Sequence, residues 1–129
     1  MKNKNNLLPL DRKLNVLVAG DGANHIGKQS GGWSVTWQGT GTTNEDFPGA
    51  TSIYAGIQKL VTEAGGNAVL SEDGSFSEKP DVAIVVWGED PYAEMQGEIP
   101  DLRYKPRDDS DWQLLKKLRA EGVPVVSLF

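Results

Sequence analysis

The apolar run at residues 82–87 (Val-Ala-Ile-Val-Val-Trp) is the sequence feature that most constrains the fold of this chain. A strand with one face towards water would alternate apolar and polar side chains, whereas this run is apolar on both faces. That pattern is typical of a central strand in a parallel sheet whose two faces are covered by helices. A second apolar run, at residues 14–19, ends at Gly20 and predicts another buried strand.

A helix that could cover such a sheet is predicted in the middle of the chain. Its apolar residues recur with the helical period and would share one face: Ile53, Ile57, Leu60, Val61 and Ala64. Thr51 or Ser52 is the predicted N-cap, and Gly65 with Gly66 is the predicted end. Residues 67–70 follow as a short predicted strand.

A second helix is predicted to begin at Ser110. The spacing from Ser110 to Gln113 fits a capping box, and the helix would end at Gly122. Three aspartates near its start would favour the positive end of the helix: Asp108, Asp109 and Asp111. A last strand is predicted at residues 124–129. This order of strands and helices predicts an α/β fold with a mostly parallel sheet and helices on both faces.

Two long segments without periodicity, residues 20–50 and 88–109, leave the carboxyl ends of the two buried strands. We therefore expect both to be loops, with no helix in the first. Ligands of parallel sheets bind beyond the carboxyl ends of the strands, and loops of this length are usually functional. In the second segment Arg103, Lys105 and Arg107 alternate; we interpret them as solvated charges, with contact to a partner's acids as the alternative.

Composition excludes several classes of protein. The 129 residues include no cysteine, which excludes zinc ribbons, thiol catalysis and iron–sulfur clusters. The formal net charge is −5, which argues against a nucleic-acid partner, because such binding depends on clustered Lys and Arg. The sequence has neither an apolar run long enough to span a bilayer nor the pattern of a signal peptide. We expect one domain, no membrane segment and no cofactor.

The segment from Gly22 to Lys28 fits the phosphate-loop pattern G-x-x-x-x-G-K. The match then fails, because Gln29 stands where a Ser or Thr should hold magnesium, and glycines follow where a helix should start. The dinucleotide pattern fails as well, since it requires glycine at the position of His25. We interpret His25 as a hydrogen-bonding loop residue. A flavodoxin-like nucleotide binder remains the third alternative for the function.

Residues 31–39 (Gly-Gly-Trp-Ser-Val-Thr-Trp-Gln-Gly) carry two tryptophans four positions apart. On a helix, Trp33 and Trp37 would share a face and pack into the core. The flanking glycines disfavour a helix, and a surface loop is a poor place to bury two indoles. If the segment were extended, Trp33, Val35 and Trp37 would point the same way. Stacking on a flat apolar partner such as a sugar ring, and packing inside the protein, therefore both remain open.

Residues 88–98 form a loop with four acids, which would ordinarily be a solvated acidic surface. Glu94 differs from the others because its neighbours are Ala93 and Met95. Partly apolar surroundings raise the pKa of a carboxyl, so we expect Glu94 to be suited to act as a general acid. Glycoside hydrolysis needs two carboxyl groups, and no second motif provides an obvious partner.

Together these segments resemble the second domain, an (α/β)₆ sandwich with flavodoxin-like character, of glycoside hydrolase family 3 exo-β-glucanases and β-glucosidases. Residues 31–39 are similar to the G-G-W-x-x-x-W-Q-G loop of that family. Residues 88–97 (Gly-Glu-Asp-Pro-Tyr-Ala-Glu-Met-Gln-Gly) are similar to its G-E-x-P-Y-x-E-x-x-G loop. Residues 6–10 resemble the segment by which these enzymes enter the domain, and residues 14–20 resemble its first strand.

The resemblance implies roles for three residues. Glu94 falls on the general acid/base of the family. Trp37 falls on the tryptophan that helps to clamp the sugar in the +1 subsite, and Trp33 falls on its neighbour. The nucleophilic aspartate of the family belongs to a (β/α)₈ barrel domain that is not in this chain.

The implied function is that of one part of a retaining enzyme that releases glucose from the non-reducing end of β-glucans or β-glucosides. The implied partners are such a glucan or glucoside and the barrel domain, and the implied compartment is periplasmic or secreted. We expect residues 1–129 to be one domain or an incomplete part of it, inactive without the barrel. The main alternative is a non-catalytic carbohydrate-binding module that uses Trp33 and Trp37.

Overall fold

Within residues 2–105 and 108–129, which the computed structural model describes, four strands form one sheet. The strands are β1 (Asn15–Ala19), β2 (Asn67–Leu70), β3 (Val82–Val86) and β4 (Val125–Leu128). Their order in the sheet is β2-β1-β3-β4, and every neighbouring pair is parallel. The two central strands are β1 and β3. β3 is buried along its whole length, as its apolar residues predict.

Helices cover both faces of the sheet. The described residues form three α-helices: α1 (Ile26–Ser30), α2 (Ile53–Glu63) and α3 (Ser110–Ala120). Side chains of a strand alternate between its faces. Val18 and Ile84 belong to the cluster that includes Val61 of α2, and Val85 belongs to the opposite cluster with Leu118 of α3. The predicted α/β fold with helices on both faces is therefore confirmed.

The start of α2 matches its sequence signal. The Ser52 hydroxyl accepts a hydrogen bond from the Ala55 backbone N–H at 3.1 Å, so Ser52 is the N-cap. The cap satisfies one of the backbone donors that the first helical turn leaves free. Of the two predicted caps, Ser52 is therefore the correct one.

The predicted capping box at Ser110 is wrong. Asp109 is the N-cap position of α3, and Ser110 is already helical. The Asp108 carboxylate accepts a hydrogen bond from the Ser110 backbone N–H at 2.8 Å, and the Asp109 carboxylate accepts one from the Gln113 side chain at 2.8 Å. The Ser110 backbone N–H is thus bound by Asp108, and the Gln113 side chain is a donor to Asp109 and not an acceptor for the backbone at the helix start. The expectation that these aspartates lie at the positive end of the helix is correct.

The prediction that residues 20–50 contain no helix is also wrong. The segment contains α1 and a short 3₁₀ turn, Asn44–Asp46. The start of α1 is held by His25, whose Nδ1 accepts from the Lys28 backbone N–H at 3.1 Å, and by Asn44, whose side-chain oxygen accepts from the Ile26 N–H at 2.8 Å. The second contact spans 18 residues, so it has no local signal in the sequence. Every helix in the described part of the chain is too short or too polar to cross a membrane.

The strand order places the two long loops side by side. The connection from β1 leads through α2 to β2 on one side, whereas β3 lies on the other side of β1. The carboxyl ends of β1 and β3 are therefore neighbours at a topological switch point, where α/β sheets bind their ligands. Residues 20–52 leave β1 there, and residues 87–109 leave β3.

We expect Leu118→Ala to lower the free energy of unfolding by about 2–5 kcal/mol, because the Leu118 side chain is fully buried between α3 and the sheet and its loss leaves a cavity. Urea denaturation would measure the change. Leu60→Ala is the matched control: Leu60 lies on α2 with 49% of its surface exposed, so its loss is expected to cost less than about 1 kcal/mol. Equal losses in the two variants would contradict the described position of α3.

Candidate active site

Close backbone packing at the end of β1 fixes where the first loop begins. Gly20 has φ +88°, and a Cβ at this position would collide with the carbonyl oxygen of Val86, the last residue of β3. A side chain larger than hydrogen would therefore push the two strand ends apart. The Gly20 N–H donates to the Glu72 carbonyl at 3.0 Å. Glycine at this position thus allows the end of β1 to lie directly against the end of β3.

The loop with the two tryptophans is a tight turn, not an extended segment. The Trp33 backbone N–H donates to the Trp37 carbonyl at 2.8 Å. Trp33 has φ +61° and Val35 has φ +64°, which are costly conformations for residues with a Cβ, above all for β-branched valine. Strained backbone of this kind is concentrated at functional sites.

This turn places both indoles on the surface. The ring centroids of Trp33 and Trp37 are 6.1 Å apart with an angle of 44° between the ring planes. Trp33 is 70% exposed and Trp37 is 47% exposed. The alternative that the pair packs inside the core is therefore wrong.

Both indoles contact Glu94, which lies in the loop after β3. The Trp37 Nε1–H donates to one carboxylate oxygen of Glu94 at 2.8 Å, and the Trp33 Nε1–H donates to the other at 3.4 Å. These contacts join residues that are 57 and 61 positions apart in the sequence. The structure thus brings the three predicted site residues together on one exposed surface.

The prediction that the surroundings of Glu94 raise its pKa is wrong. The hydrogen bond from Trp37, with smaller contributions from the backbone N–H of Glu94 and from Trp33, holds the pKa of this carboxyl below its usual value. Hydrogen bonds to the ionised form favour it, whereas burial would oppose it. Because Glu94 is exposed, burial raises its pKa too little to offset the indoles. In this chain Glu94 is therefore a carboxylate near neutral pH.

Gln38 makes a further contact between the loops, which the sequence did not reveal. Its side-chain nitrogen donates to the Glu94 carbonyl at 3.0 Å, and its side-chain oxygen accepts from the Ala93 N–H at 2.7 Å. Gly32 lies against the same segment, since a Cβ there would collide with the Tyr92 carbonyl. Gln38 adjoins Trp37 in the sequence, but nothing in its spacing indicates which backbone groups it meets.

A network of charges ties the base of the two loops together. Asp21 Oδ2 accepts from Lys28 Nζ at 2.6 Å and from Lys105 Nζ at 2.9 Å. Lys105 also contacts Asp111 of α3 at 3.1 Å, and Lys28 contacts Asp90 at 3.2 Å. The two lysine side chains are only 10% and 15% exposed, so these pairs are less screened than surface pairs.

The network shifts the pKa values of its members. Burial would raise the pKa of Asp21, but the hydrogen bonds from Lys28 and Lys105 outweigh it and hold the pKa below the usual value. Burial would lower the pKa of Lys105, but its contacts with Asp21, Asp111 and Tyr104 raise it instead. The Asp21 carboxyl and the Lys105 amine are therefore both favoured in their charged forms.

The network corrects the interpretation of the basic residues. Lys105 is paired within the chain and is not a solvated charge. Arg103 is exposed and pairs with Asp101 at 2.8 Å, and Arg107 lies outside the described residues.

The segment that fits the phosphate-loop pattern does not form one. Lys28, the residue that would reach a phosphate, is bound to Asp21 and Asp90. The N–H groups at the start of α1 are taken by His25 and Asn44, which confirms His25 as a hydrogen-bonding loop residue. Across residues 2–105 and 108–129, no group of three or more His, Asp or Glu side chains is arranged to hold a metal ion.

Comparison with known proteins identifies the family of the chain. The family described as "Glycosyl hydrolase family 3 C-terminal domain" matches the chain over residues 1–129. The chain belongs to glycosyl hydrolase family 3. The resemblance inferred from residues 31–39 and 88–97 is thereby confirmed.

Relatives of this family 3 domain are larger proteins. A lysosomal beta glucosidase of Dictyostelium discoideum is 35% identical to it over 98% of this chain and 17% of the relative. The crystal structure of an exo-1,3/1,4-beta-glucanase from a Pseudoalteromonas species is 53% identical with a TM-score of 0.95, over 98% of this chain and 16% of that chain. A point mutant of that glucanase matches equally well, with 20% of its chain covered. The chain thus spans no more than a fifth of the length of these proteins.

We expect Asp21→Asn to destabilise the family 3 domain at pH 7, because it leaves Lys28 and Lys105 mostly buried without their shared carboxylate. The folded-state pKa of Asp21 lies below its ordinary value of 3.8, so its stabilising effect is present above pH 3.8 and is lost as the pH falls through the folded-state pKa. The difference in the free energy of unfolding between wild type and Asp21→Asn should therefore shrink below pH 3.8.

Urea unfolding midpoints measured from pH 7 to pH 2 would check this prediction. Glu78→Gln is the control, since it removes an exposed carboxylate away from the network. A gap between wild type and Asp21→Asn that stays constant across the range would contradict the linkage.

Proposed function

We propose that this chain supplies the general acid/base and a sugar-stacking loop of a retaining family 3 enzyme, which releases glucose from the non-reducing end of β-glucans or β-glucosides. The observation that carries the proposal is the Glu94 carboxylate, held on an exposed surface by the indole N–H groups of Trp33 and Trp37. A fixed carboxyl beside two exposed aromatic rings combines a proton donor and acceptor with a surface for a sugar. The names of the relatives, a beta glucosidase and a beta-glucanase, agree with this substrate class.

Glu94 would act twice in each reaction cycle. In the first step its carboxylic acid protonates the glycosidic oxygen while the nucleophile attacks the anomeric carbon. In the second step its carboxylate takes a proton from the water that hydrolyses the covalent glycosyl-enzyme. The pKa of Glu94 in this chain favours the carboxylate, which suits the second step.

The first step needs an additional group to raise the pKa of Glu94. We propose that a (β/α)₈ barrel domain supplies it together with the nucleophilic aspartate. In retaining enzymes the two carboxyl groups lie about 5 Å apart, so the charge of the nucleophile disfavours ionisation of Glu94. Exclusion of water between two docked domains acts in the same direction.

Exposed apolar side chains of the two long loops support docking of another domain. Within the described residues, both loops carry large apolar groups that are exposed: Trp33, Val35, Trp37, Tyr92, Met95, Ile99, Leu102 and Tyr104. Leu102 is 93% exposed and Met95 is 69% exposed. Large exposed apolar surfaces are rare on isolated domains and mark interaction sites.

Trp37 would stack on the sugar in the +1 subsite, next to the bond that is cleaved, with Trp33 beside it. The two ring planes meet at 44°, so the indoles form an angled surface and not a flat one. The apolar C–H face of a pyranose ring could pack against one ring while its hydroxyl groups remain accessible to water.

A carbohydrate-binding module is the second candidate, and the exposed tryptophan pair is the observation that favours it. Such a module would bind glucans through Trp33 and Trp37 without using Glu94 as an acid. The two proposals therefore differ in what loss of the Glu94 carboxyl does.

In the proposed intact enzyme, we expect Glu94→Gln to lower kcat/KM by about 10²–10⁴-fold for alkyl glucosides or laminaribiose, whose leaving groups need protonation. Activated aryl glucosides should be affected far less in the first step, because their leaving groups depart without a proton. Steady-state kinetics on both substrate classes would measure this, with pre-steady-state bursts to follow the glycosyl-enzyme. Glu98→Gln, an exposed acid of the same loop, is the control. Equal slowing of both classes would contradict the acid/base role.

For the 129-residue chain alone we expect no turnover of aryl glucosides, because it would lack the nucleophile. Its tryptophan fluorescence should change on titration with laminari- or cello-oligosaccharides and not with ATP or FMN. Trp37→Ala should remove the response, whereas Trp112→Ala, on α3, should retain it. Turnover by the chain alone would overturn the shared site, and a response to ATP or FMN alone would favour the nucleotide-binding alternative.

A further inference from the structure

Gln38 holds the backbone on both sides of the Ala93–Glu94 peptide with one side-chain amide. The amide nitrogen donates to the Glu94 carbonyl at 3.0 Å, and the amide oxygen accepts from the Ala93 N–H at 2.7 Å. A glutamine offers a donor and an acceptor on one planar group, so it can bind a peptide segment as a neighbouring strand would. Leucine, methionine or glutamate at this position could not make both hydrogen bonds.

The backbone that Gln38 binds leads into a strained turn at the surface. Met95, the residue after Glu94, has φ +73°, a strained conformation for a residue with a side chain. The following turn is closed by the Gly97 N–H, which donates to the Ala93 carbonyl at 2.8 Å. Glu94 itself is exposed. A strained, exposed turn persists only where surrounding contacts determine it.

Gln38 and the two indoles bind different parts of Glu94. Trp33 and Trp37 bind the carboxylate of Glu94, and the adjoining Gln38 binds its main chain. The carboxylate can keep one orientation only if its own backbone does not move. A displacement of about 1 Å at a reacting group can cost about 10²-fold in rate.

We infer that Gln38 is a positioning residue for Glu94: its side-chain amide fixes the Ala93–Glu94 backbone and thereby the direction of the acid/base carboxyl. The inference rests on the proposed function of Glu94. Gln38 lies next to the proposed sugar-stacking Trp37, and both its amide nitrogen and its amide oxygen are hydrogen-bonded to the loop after β3.

Gln38→Met is the direct test, because methionine has a similar length and shape but makes neither hydrogen bond. In the intact enzyme we expect a loss of about 10- to 100-fold in kcat/KM for glucosides with poor leaving groups and less than about 3-fold for activated aryl glucosides. KM should change little. The alkaline limb of the pH profile, which reports the general acid, should also move.

Gln29→Met is the matched control. The Gln29 side-chain oxygen accepts from the Ile53 N–H at 3.0 Å, so this glutamine also binds a backbone group, but one at the start of α2 and not in the loop that carries Glu94. Gln38→Glu is the second variant: it keeps an acceptor for the Ala93 N–H and loses the donor to Glu94. This variant decides the question if Gln38→Met folds poorly. Because a carboxylate oxygen would face the Glu94 carbonyl, we expect the same selective loss for glucosides with poor leaving groups. Urea midpoints of all variants would report folding.

A readout that does not depend on catalysis comes from NMR of the indole N–H groups in the 129-residue chain. We expect the signals of Trp33 and Trp37 to shift as Glu94 titrates in the wild type, and the midpoint of that shift to move in Gln38→Met but not in Gln29→Met. Trp112, on α3, is the internal reference.

The outcomes separate the two proposals. If Glu94→Gln shows no leaving-group selectivity, the proposed function fails, and the indole titration alone decides whether Gln38 orients Glu94. If Glu94→Gln is selective but Gln38→Met slows both substrate classes equally or leaves the indole titration unchanged, the inference about Gln38 is overturned. A selective loss in kcat/KM together with a shifted titration of the indole N–H signals supports both proposals.

Discussion

The parallel pairing of β1 with β3 is the constraint on which the rest of the structure depends. The register places Ala19 opposite Val85, so the two strands end at the same level and release their loops side by side. Gly20 allows this closeness, because any side chain there would meet the Val86 carbonyl. Both strands are covered by helices and cannot slip without moving apolar side chains out of the core. The strand register thus sets where the two loops begin, and the contacts between the loops set the position of Glu94 relative to the tryptophans.

Two kinds of contact then hold the loops, at different depths. Near the strands, Lys28 and Lys105 share the carboxylate of Asp21 where solvent access is low. Farther out, the contacts of Gln38 and the indoles with the Glu94 segment are exposed or half-buried. Buried charge pairs are costly to break because each leaves an uncompensated partner. The inner network therefore fixes the base of the loops, and the outer hydrogen bonds orient the Glu94 carboxylate.

The features that were predictable from the sequence are those with local causes. The apolar β3 and the Ser52 cap of α2 follow from periodicity and backbone chemistry, and the resemblance identified Glu94 and both tryptophans as a group. Most features that were missed depend on residues far apart in the sequence: Asn44 at the start of α1, Lys105 on Asp21, and Gln38 on Glu94, the last pairing spanning 56 positions. The pKa of Glu94 was predicted with the wrong sign for the same reason, since apolar sequence neighbours do not reveal the indole N–H groups that contact its carboxylate. The start of α3 is the exception, since its contacts are local.

Under the proposed function, the lowered pKa of Glu94 favours one of the two reaction steps and opposes the other. The indole hydrogen bonds favour the carboxylate at all times, and they suit the step in which Glu94 accepts a proton. The step in which it donates one requires the negative charge of the nucleophile nearby, and that charge disappears once the nucleophile is bound to glucose. The pKa of Glu94 would then be high before the first step and low before the second. With the two carboxyl groups on different domains, the hydrogen bonds that lower the pKa of Glu94 stay within this chain. The charge that would raise this pKa depends on whether the nucleophile of the other domain is free or bound to glucose.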